Sequence, residues 1–219
     1  MSTQIILAST SPRRKEIMRN MGLDFLTVPA DIDETLPDDM PADTGVLQLA
    51  IEKARTTLDI VKNNGTLDSS VKKLVIIGAD TTVVLDGRMV GKPDDRAHAI
   101  EILQKLNGQP HDVFTGVCVI ACDLENNKID EFSDLSKSRV YFRQLTQTEI
   151  ESYVDSKEPM DKAGAYALQG IGSALVERID GCFTNVIGLS APLAVSLLRK
   201  AGLSILGESN EKQNDKARV

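Results

Sequence analysis

Several residue types are scarce in this chain of 219 residues, and each absence argues against a class of function. There is no tryptophan, and aromatic residues make up only 4%. Modules that bind single-stranded nucleic acid stack its bases on aromatic side chains, so a nucleic-acid-binding role is disfavoured. The formal net charge of −7 also argues against nucleic acid as a partner, because the phosphate backbone requires a basic surface.

Cysteine and histidine are equally scarce. The three cysteines, Cys118, Cys122 and Cys182, form no CxxC pair, so we expect reduced thiols rather than a disulfide framework or a metal site. Cys118 and Cys122 have the same parity along a predicted strand and should share one face. The two histidines, His98 and His111, have no partner histidine, so the sequence supports neither a zinc site nor a Ser-His-Asp triad.

Long hydrophobic runs are also missing. Nothing approaches the ~20 apolar residues of a membrane span. The first apolar run, residues 5–8, is too short for a signal peptide. We therefore expect a cytoplasmic protein without a membrane partner. A GxxxxGK[ST] motif is absent too, which excludes an ordinary P-loop ATPase.

Among the features that are present, the first is a strand that leads to an aspartate. Four apolar residues, 74–77, precede Gly78, Ala79 and Asp80. Such a run is typical of a strand buried on both faces of a sheet. At the end of that run, Asp80 is expected at the mouth of the sheet, where open α/β proteins usually bind ligands. Residues 81–85 continue extended to an Asp-Gly pair, which predicts a type I′ turn.

A Ser/Thr-rich turn near the start of the chain is a candidate anion site. A short strand over residues 4–8 leads through this turn to Ser11, which suits a helix N-cap, and a proline follows it. Free backbone N–H groups and the helix dipole favour phosphate at such a position. Arg13 and Arg14 lie beside the turn and are either solvated or a bidentate phosphate clamp.

Two further loops carry charged residues. Asp31, Asp33 and Glu34 lie within four positions and form either a solvated acidic loop or a set of ligands for a divalent cation. Lys92 lies between a glycine and a proline. It is either an ordinary exposed loop lysine or a lysine that a restricted backbone holds in one position.

The remaining pattern predicts alternating helices and strands. Helices are predicted over 44–62, from Asp94 or Asp95 to Gly108, from a capping box at Thr146, and over 190–201. Further strands are predicted over 25–28, 113–121, 138–143 and 174–179, with a surface loop over 63–73.

Three glycines, Gly164, Gly170 and Gly172, lie in one segment that also contains Lys162 and Gln169. Glycines at this density indicate either backbone that approaches a ligand or tight turns. The sequence alone leaves both interpretations open.

The candidate residues together favour phosphoryl chemistry assisted by a metal. Carboxylates such as Glu34 and Asp80 hold Mg²⁺ or Mn²⁺, or activate a water. Cations neutralise phosphate charge in the transition state. The cationic candidates are Arg13, Arg14, Lys53, Lys92 and Lys162, and Ser9 belongs to the phosphate turn.

Six motifs in order give the chain a family resemblance. They are Ser9-x-Ser-Pro-Arg-Arg14, Asp33-Glu34, Glu52-Lys53-Ala54, Gly78-Ala-Asp80-Thr81, Gly91-Lys92-Pro93 and the segment from Lys157 to Gly170. Together they closely resemble the Maf family of nucleoside triphosphate pyrophosphatases, first named for a link to septum formation. The resemblance covers residues 4 to about 202.

The resemblance implies an α/β fold with a long, twisted, mixed β-sheet, flanking helices and two lobes around a cleft, similar to that of the inosine triphosphate pyrophosphatases. It implies one domain over residues 1–203. Residues 204–219 depart from the family pattern, and their polar, charged composition predicts a disordered tail. The activity would be divalent-metal-dependent (Mg²⁺ or Mn²⁺) hydrolysis of a nucleoside triphosphate to the monophosphate and pyrophosphate. The default expectation for assembly is a homodimer.

The resemblance also implies roles for individual residues. Asp80 matches the catalytic proton acceptor, and either Glu34 alone or both carboxylates would hold the metal. Arg13, Thr81 and Gln169 match positions that separate branches, and here they resemble the dTTP/UTP branch, with modified pyrimidine nucleotides as further candidates. The 7-methyl-GTP branch carries Trp in place of Arg13 and Glu in place of Gln169. The alternative function is a nucleotide-binding regulator of cell division with little catalysis.

Overall fold

The computed structural model describes residues 2–205 except 38, 65, 66 and 68. The helices in this part of the chain are α1 (Pro12–Asn20), α2 (Ala42–Asn63), α3 (Arg96–Leu106), α4 (Gln147–Asp155), α5 (Phe183–Ile187) and α6 (Ala191–Lys200). The strands are β1 (Ser2–Leu7), β2 (Leu26–Thr27), β3 (Val71–Leu85), β4 (Arg88–Val90), β5 (Pro110–Asp123), β6 (Lys128–Phe142) and β7 (Val176–Asp180). Three short 3₁₀ turns lie at Glu158–Asp161, Ala163–Ala165 and Gly170–Ala174.

All the strands join one mixed sheet, in the order β2-β1-β3-β5-β6-β7, with β4 paired to β3. β1 pairs in parallel with β2 and β3, and the other pairs are antiparallel. The predicted mixed sheet with flanking helices is therefore confirmed. In the described part of the chain, no helix combines the length and apolar character needed to cross a membrane.

The helix starts follow the local signals in the sequence. The Ser11 side chain accepts a hydrogen bond from the backbone N–H of Arg14, and Asp95 caps α3 in the same way. At α4, Thr146 and Glu149 form both bonds of the capping box. These caps satisfy backbone donors that have no partner inside a helix, which is why short polar residues mark where helices begin.

The structure corrects several predicted boundaries. β3 is one strand of 15 residues, so Asp80 lies within it and not at its end. β5 and β6 form a long hairpin, and each extends well beyond the predicted bounds. The predicted loop 63–73 includes the first residues of β3, while residues 65, 66 and 68 lie outside the described part. The predicted tail 204–219 lies outside it from residue 206 onward. Helix α5 was not predicted.

Hydrophobic clusters divide the sheet into two halves. In the half around β1, one cluster packs on α1 and α6, and another packs on α2. The other half carries a third cluster with α3 and α4. Cys118 and Cys122 both belong to the cluster under α2, which confirms that they share a face. β3 and β5 run through both halves, so residues at their midpoints lie between the two.

Two glycines let α2 lie directly on the sheet. A Cβ added at Gly78 of β3 would collide with the backbone oxygen of Ala50. A Cβ at Gly116 of β5 would lie 2.5 Å from the backbone oxygen of Val46. Since these contacts involve helix backbone, no side-chain rotation relieves them. This close approach brings Lys53 of α2 to Asp80, two residues after Gly78.

Gly78→Ala is expected to destabilise the protein by about 2 kcal/mol or more, because one methyl group must displace α2. Chemical denaturation followed by circular dichroism measures this change. Gly91→Ala is the matched control, since a Cβ at Gly91 meets nothing within 4 Å. The control should stay within about 0.5 kcal/mol of the parent. Equal stability of the two variants would contradict this account of α2 packing.

Candidate active site

The cleft lies at an open stretch on one edge of β3. β1 pairs with this edge as far as Ile77, and β4 pairs with it from Val83 onward. Among the described residues, no strand pairs with this edge between those two points. Asp80 lies at the centre of the stretch. A cleft of about 720 Å³ opens over it, lined also by the turn between β1 and α1.

Neighbouring side chains of β3 reach the cleft from opposite faces of the sheet. Successive residues of a strand alternate in direction. Asp80 therefore points toward α2, where Lys53 meets it. Thr81 points to the other face, where Arg14 of α1 and the loop after α5 meet it. One short segment thus supplies two different chemical groups to one cleft.

A buried lysine joins the two carboxylates. The Lys53 Nζ atom lies 2.7 Å from Asp80 Oδ1 and 2.5 Å from Glu34 Oε1, and Lys53 is only 7% exposed. Partial burial of Glu34 opposes its ionisation. The hydrogen bond from Lys53 and the charges of Lys53, Lys92 and Arg14 outweigh burial and hold the pKa of Glu34 below its usual value. Glu34 is therefore an anion at neutral pH.

The Arg14 side chain is held in place by three hydrogen bonds, all of which it donates. Its Nε donates to the backbone oxygen of Gly188 (2.8 Å), Nη1 to Ser9 Oγ (3.3 Å) and Nη2 to Thr81 Oγ1 (3.2 Å). Burial lowers the pKa of Arg14, against the opposing charge of Asp80, but a guanidinium stays protonated. Arg14 is thus a fixed positive charge beside the start of α1. Ser9 also accepts from the backbone N–H of Ser11, which shapes the turn (3.2 Å).

The cleft is locally cationic although the chain is acidic. Its lining contains five cationic side chains and three carboxylates. The cations are those predicted from the sequence: Arg13, Arg14, Lys53, Lys92 and Lys162. Lys162 Nζ donates to the backbone oxygen of Glu158 (2.6 Å) and to Asp161 (2.5 Å), while Lys92 is exposed at the rim. An anionic ligand would therefore meet positive charge from several elements.

Gln169 lines the same cleft from the segment between the second and third 3₁₀ turns. Its side-chain Nε2 donates to Glu16 Oε2 of α1 (3.2 Å). The structure thus brings the predicted site residues together at one place. Two members of the acidic loop, Asp31 and Asp33, do not line the cleft. Only the third, Glu34, reaches it, so the three carboxylates of the loop do not meet in the cleft.

Glu34 and Asp80 are suited to hold an Mg²⁺ ion whose other ligands would be waters and phosphate oxygens of a substrate. In the described residues, no group of three or more His, Cys, Asp or Glu side chains could hold a metal. Mg²⁺ usually takes one or two protein carboxylates, with waters and phosphate oxygens as its other ligands. Asp80 and Glu34 each bind Lys53 through one oxygen, and the second oxygen of each is the donor type that such an ion takes.

A buried hydrogen-bond network behind Thr81 was not predicted from the sequence. Thr81 Oγ1 lies 2.9 Å from Thr115 Oγ1, and Thr115 donates to the backbone oxygen of Asn185 (3.1 Å). The Asn185 side chain donates to Val113 O and to Ser138 Oγ, both at 3.0 Å. Thr115 comes from β5 and Asn185 from α5. Local sequence signals do not show pairings between such distant segments.

Neither histidine lines the cleft. His111 is buried against the Tyr166 hydroxyl (2.9 Å), and burial lowers the pKa of His111 to about 4. His98 lies on the surface beside Asp94. The described site is therefore built from carboxylates, cations and hydroxyls.

The part of the chain that forms this cleft matches a known protein family. Residues 4–201 match the family described as Maf-like protein. The chain belongs to the Maf family. The match covers every residue that lines the cleft, from Ala8 to Gly188. In this Maf protein one cleft between the halves of the sheet contains Glu34, Asp80, the buried Lys53 and the Ser/Thr-rich turn between β1 and α1.

Curated relatives of this Maf protein carry a common name. A dTTP/UTP pyrophosphatase of Acetivibrio thermocellus is 41% identical over 203 residues, which span 93% of this chain and 98% of the relative. Proteins of the same name from Caldicellulosiruptor bescii and Neisseria meningitidis are 39% and 41% identical, over 93% and 90% of this chain and 97% and 94% of the relatives.

A solved structure of a HAM1 protein from Coxiella burnetii is 17% identical, covering 65% of this chain and 73% of that chain, with a TM-score of 0.33. A score this low does not establish a shared fold.

Proposed function

We propose that this Maf protein hydrolyses nucleoside triphosphates, with dTTP and UTP as substrates, to the monophosphate and pyrophosphate. The observation that carries the proposal is the Glu34–Lys53–Asp80 cluster inside a cationic cleft. The name shared by relatives at about 40% identity supports the nucleotides chosen.

In this mechanism the triphosphate lies at the N-terminus of α1. The backbone N–H groups of the turn and the helix dipole attract its negative charge. The fixed guanidinium of Arg14 binds phosphate oxygens bidentately, and Arg13, Lys92 and Lys162 add charge around the cleft. These contacts orient the bond between the α- and β-phosphates over Asp80, so that most of the activation is positioning and charge neutralisation.

Asp80 holds the attacking water. Its carboxylate accepts a hydrogen bond from the water and takes its proton as the α-phosphorus is attacked, and pyrophosphate leaves. Lys53 fixes the direction of the Asp80 carboxylate through its bond to Oδ1. Glu34 and Asp80 are the residues that would hold a divalent cation, which when bound lowers the pKa of a water and shields phosphate charge.

The experiment that tests the function is pyrophosphate release from a nucleotide panel with and without Mg²⁺. We expect turnover of dTTP and UTP, slower turnover of purine nucleotides, and loss of turnover when the metal is chelated by EDTA and its recovery when Mg²⁺ is restored. Equal amounts of pyrophosphate and nucleoside monophosphate should form. Release of inorganic phosphate and a diphosphate would place the cleavage at another bond and contradict the proposal.

Gln169→Glu is expected to reduce kcat/KM for dTTP and UTP by about 10-fold or more. The side-chain amide both donates and accepts, so it can pair with an N–H and a carbonyl of a pyrimidine, whereas a carboxylate only accepts. Because Glu16 lies beside Gln169, the double variant Gln169→Glu with Glu16→Gln separates repulsion from base reading. The loss of kcat/KM for dTTP and UTP should persist in the double variant. If the nucleotide preference of both variants equals that of the parent, Gln169 does not read the base.

A further inference from the structure

The segment that carries Gln169 is anchored by a carboxylate. The backbone N–H groups of Ile171 and Gly172 donate to the two oxygens of Glu158, both at 2.9 Å. These hydrogen bonds, together with that from Tyr153, outweigh the effect of burial and hold the pKa of Glu158 below its usual value. The segment is thus fixed at its C-terminal end by an anion of the chain itself.

A phenol anchors the other end of the segment. The hydroxyl of Tyr153 accepts from the backbone N–H of Ala167 (3.1 Å) and donates to Glu158 Oε1 (3.0 Å). Tyr153 is 2% exposed and belongs to α4. Tyr153 and Glu158 therefore form one hydrogen-bonded pair, which we call the Tyr153–Glu158 clamp. It holds both ends of residues 167–172, and Gln169 lies between those ends.

The clamp explains the glycines in this segment. A Cβ added at Gly170 would collide with an oxygen of Glu158. A Cβ at Gly172 would lie 2.6 Å from the Tyr153 hydroxyl and would also collide with the backbone oxygen of Ala167. Two interpretations were open, approach to a ligand or tight turns. At Gly170 the group that approaches the backbone is a carboxylate of the same chain, and at Gly172 the approaching groups are a backbone oxygen and a phenol hydroxyl of the same chain.

Glu158 also contacts Lys162, one of the cationic residues that line the cleft. The backbone oxygen of Glu158 accepts from Lys162 Nζ at 2.6 Å. Glu158 therefore touches Lys162 through its backbone and the Gln169 segment through its side chain. Neither Tyr153 nor Glu158 lines the cleft. Their effect on a ligand must pass through the residues that they hold.

We propose that Glu158 and Tyr153 are positioning residues for nucleotide selection: the clamp fixes Gln169 against the base and ties it to Lys162. This inference rests on the proposed function, because it assigns Gln169 to the base of a nucleotide. A mobile segment would still allow Asp80 chemistry. It would lose the discrimination between pyrimidine and purine nucleotides.

The test variant is Glu158→Gln. A glutamine has one acceptor oxygen where the carboxylate has two, so its NH₂ group must face either the Ile171 N–H or the Gly172 N–H. We expect KM for dTTP and UTP to rise about 10-fold or more, with kcat changed less than about threefold. The preference for UTP over GTP should fall by a similar factor. Hydrogen exchange of the amides of residues 167–172 should accelerate.

Glu149→Gln is the matched control. Glu149 is also a carboxylate that accepts from a backbone N–H, and it lies in the first turn of α4, the helix that carries Tyr153 in its second half. This variant should lose stability without a change in KM or in nucleotide preference. Tyr153→Phe should reproduce the effect of Glu158→Gln. The double variant should add little to either, because the two residues act as one unit.

Measurements on the parent protein test the proposed function, and measurements on Glu158→Gln test the positioning role. If the parent releases no pyrophosphate from any nucleotide, the proposed function fails, and hydrogen exchange still reports whether the clamp holds the segment. If the parent is active and Glu158→Gln keeps both its nucleotide preference and its amide protection, the positioning role is refuted. A uniform fall in kcat for all nucleotides, with KM unchanged, would also refute it.

Discussion

Asp80→Asn is expected to reduce pyrophosphate release by at least about 10³-fold, while nucleotide binding persists. Asparagine has nearly the same shape as aspartate and its oxygen still accepts from Lys53. It loses the negative charge that takes a proton from water or contributes a metal ligand. Single-turnover measurements of pyrophosphate release, with equilibrium binding of dTTP in parallel, check both halves of this prediction.

Asp86→Asn is the control for the charge change. Asp86 lies at the turn after the same strand, has a φ of 50° that asparagine tolerates, and does not line the cleft. We expect parental turnover in this variant. Near-parental turnover in Asp80→Asn would exclude Asp80 as either proton acceptor or essential metal ligand, and the mechanism above would be wrong.

Lys53→Met is expected to reduce turnover by about 10²-fold or more, because two neighbouring carboxylates lose their shared countercharge. The hydrogen bond and charge of Lys53 lower the pKa of Glu34. Without them this pKa rises, so the carboxylate is protonated over a wider acidic range. The acid limb of kcat/KM against pH should therefore move to higher pH. Activity should be lost earlier as the pH falls.

Lys62→Met is the matched control, since Lys62 is an exposed lysine in the last turn of the same helix. Its pH profile and turnover should equal those of the parent. A Lys53→Met variant with the parental acid limb would show that Lys53 does not set the ionisation of the cleft. Circular dichroism and thermal unfolding of both variants exclude a general loss of the fold.

Those site residues that lie next to a local sequence signal, such as a helix cap or an apolar strand, could be predicted from the sequence. Ser11 and Pro12 mark a helix start, and the turn before them marks an anion site, because capping depends on neighbouring residues. Asp80 followed an apolar strand in the sequence. The clamp was not predictable, since Tyr153 and Glu158 meet residues 167–172 only after the chain has folded back. Hydrogen bonds between distant segments leave no periodic signal in a sequence.

The position of Asp80 within β3 was mispredicted for a related reason. An apolar run followed by a charged residue is typical of a strand that reaches the mouth of a sheet at that residue, although residues 81–85 were also expected to be extended. In this fold both parts belong to one strand, because β5 pairs with β3 from Lys73 to Val84 and supplies the hydrogen bonds. The open stretch of the other edge lies where β1 has ended and β4 has not begun. Tertiary pairing therefore decided that Asp80 lies in a cleft between two halves of the sheet.

The sequence alone identified candidate groups that the structure brings to one cleft: the carboxylates Glu34 and Asp80, five cations, the Ser/Thr-rich turn before α1 and a glutamine. Capping, strand alternation and apolar runs are local, so they could be read directly. The tertiary structure decided how those groups meet. Gly78 and Gly116 let α2 approach the sheet, and that approach places Lys53 between Glu34 and Asp80. Such contacts depend on packing between segments far apart in the chain, which no local pattern encodes.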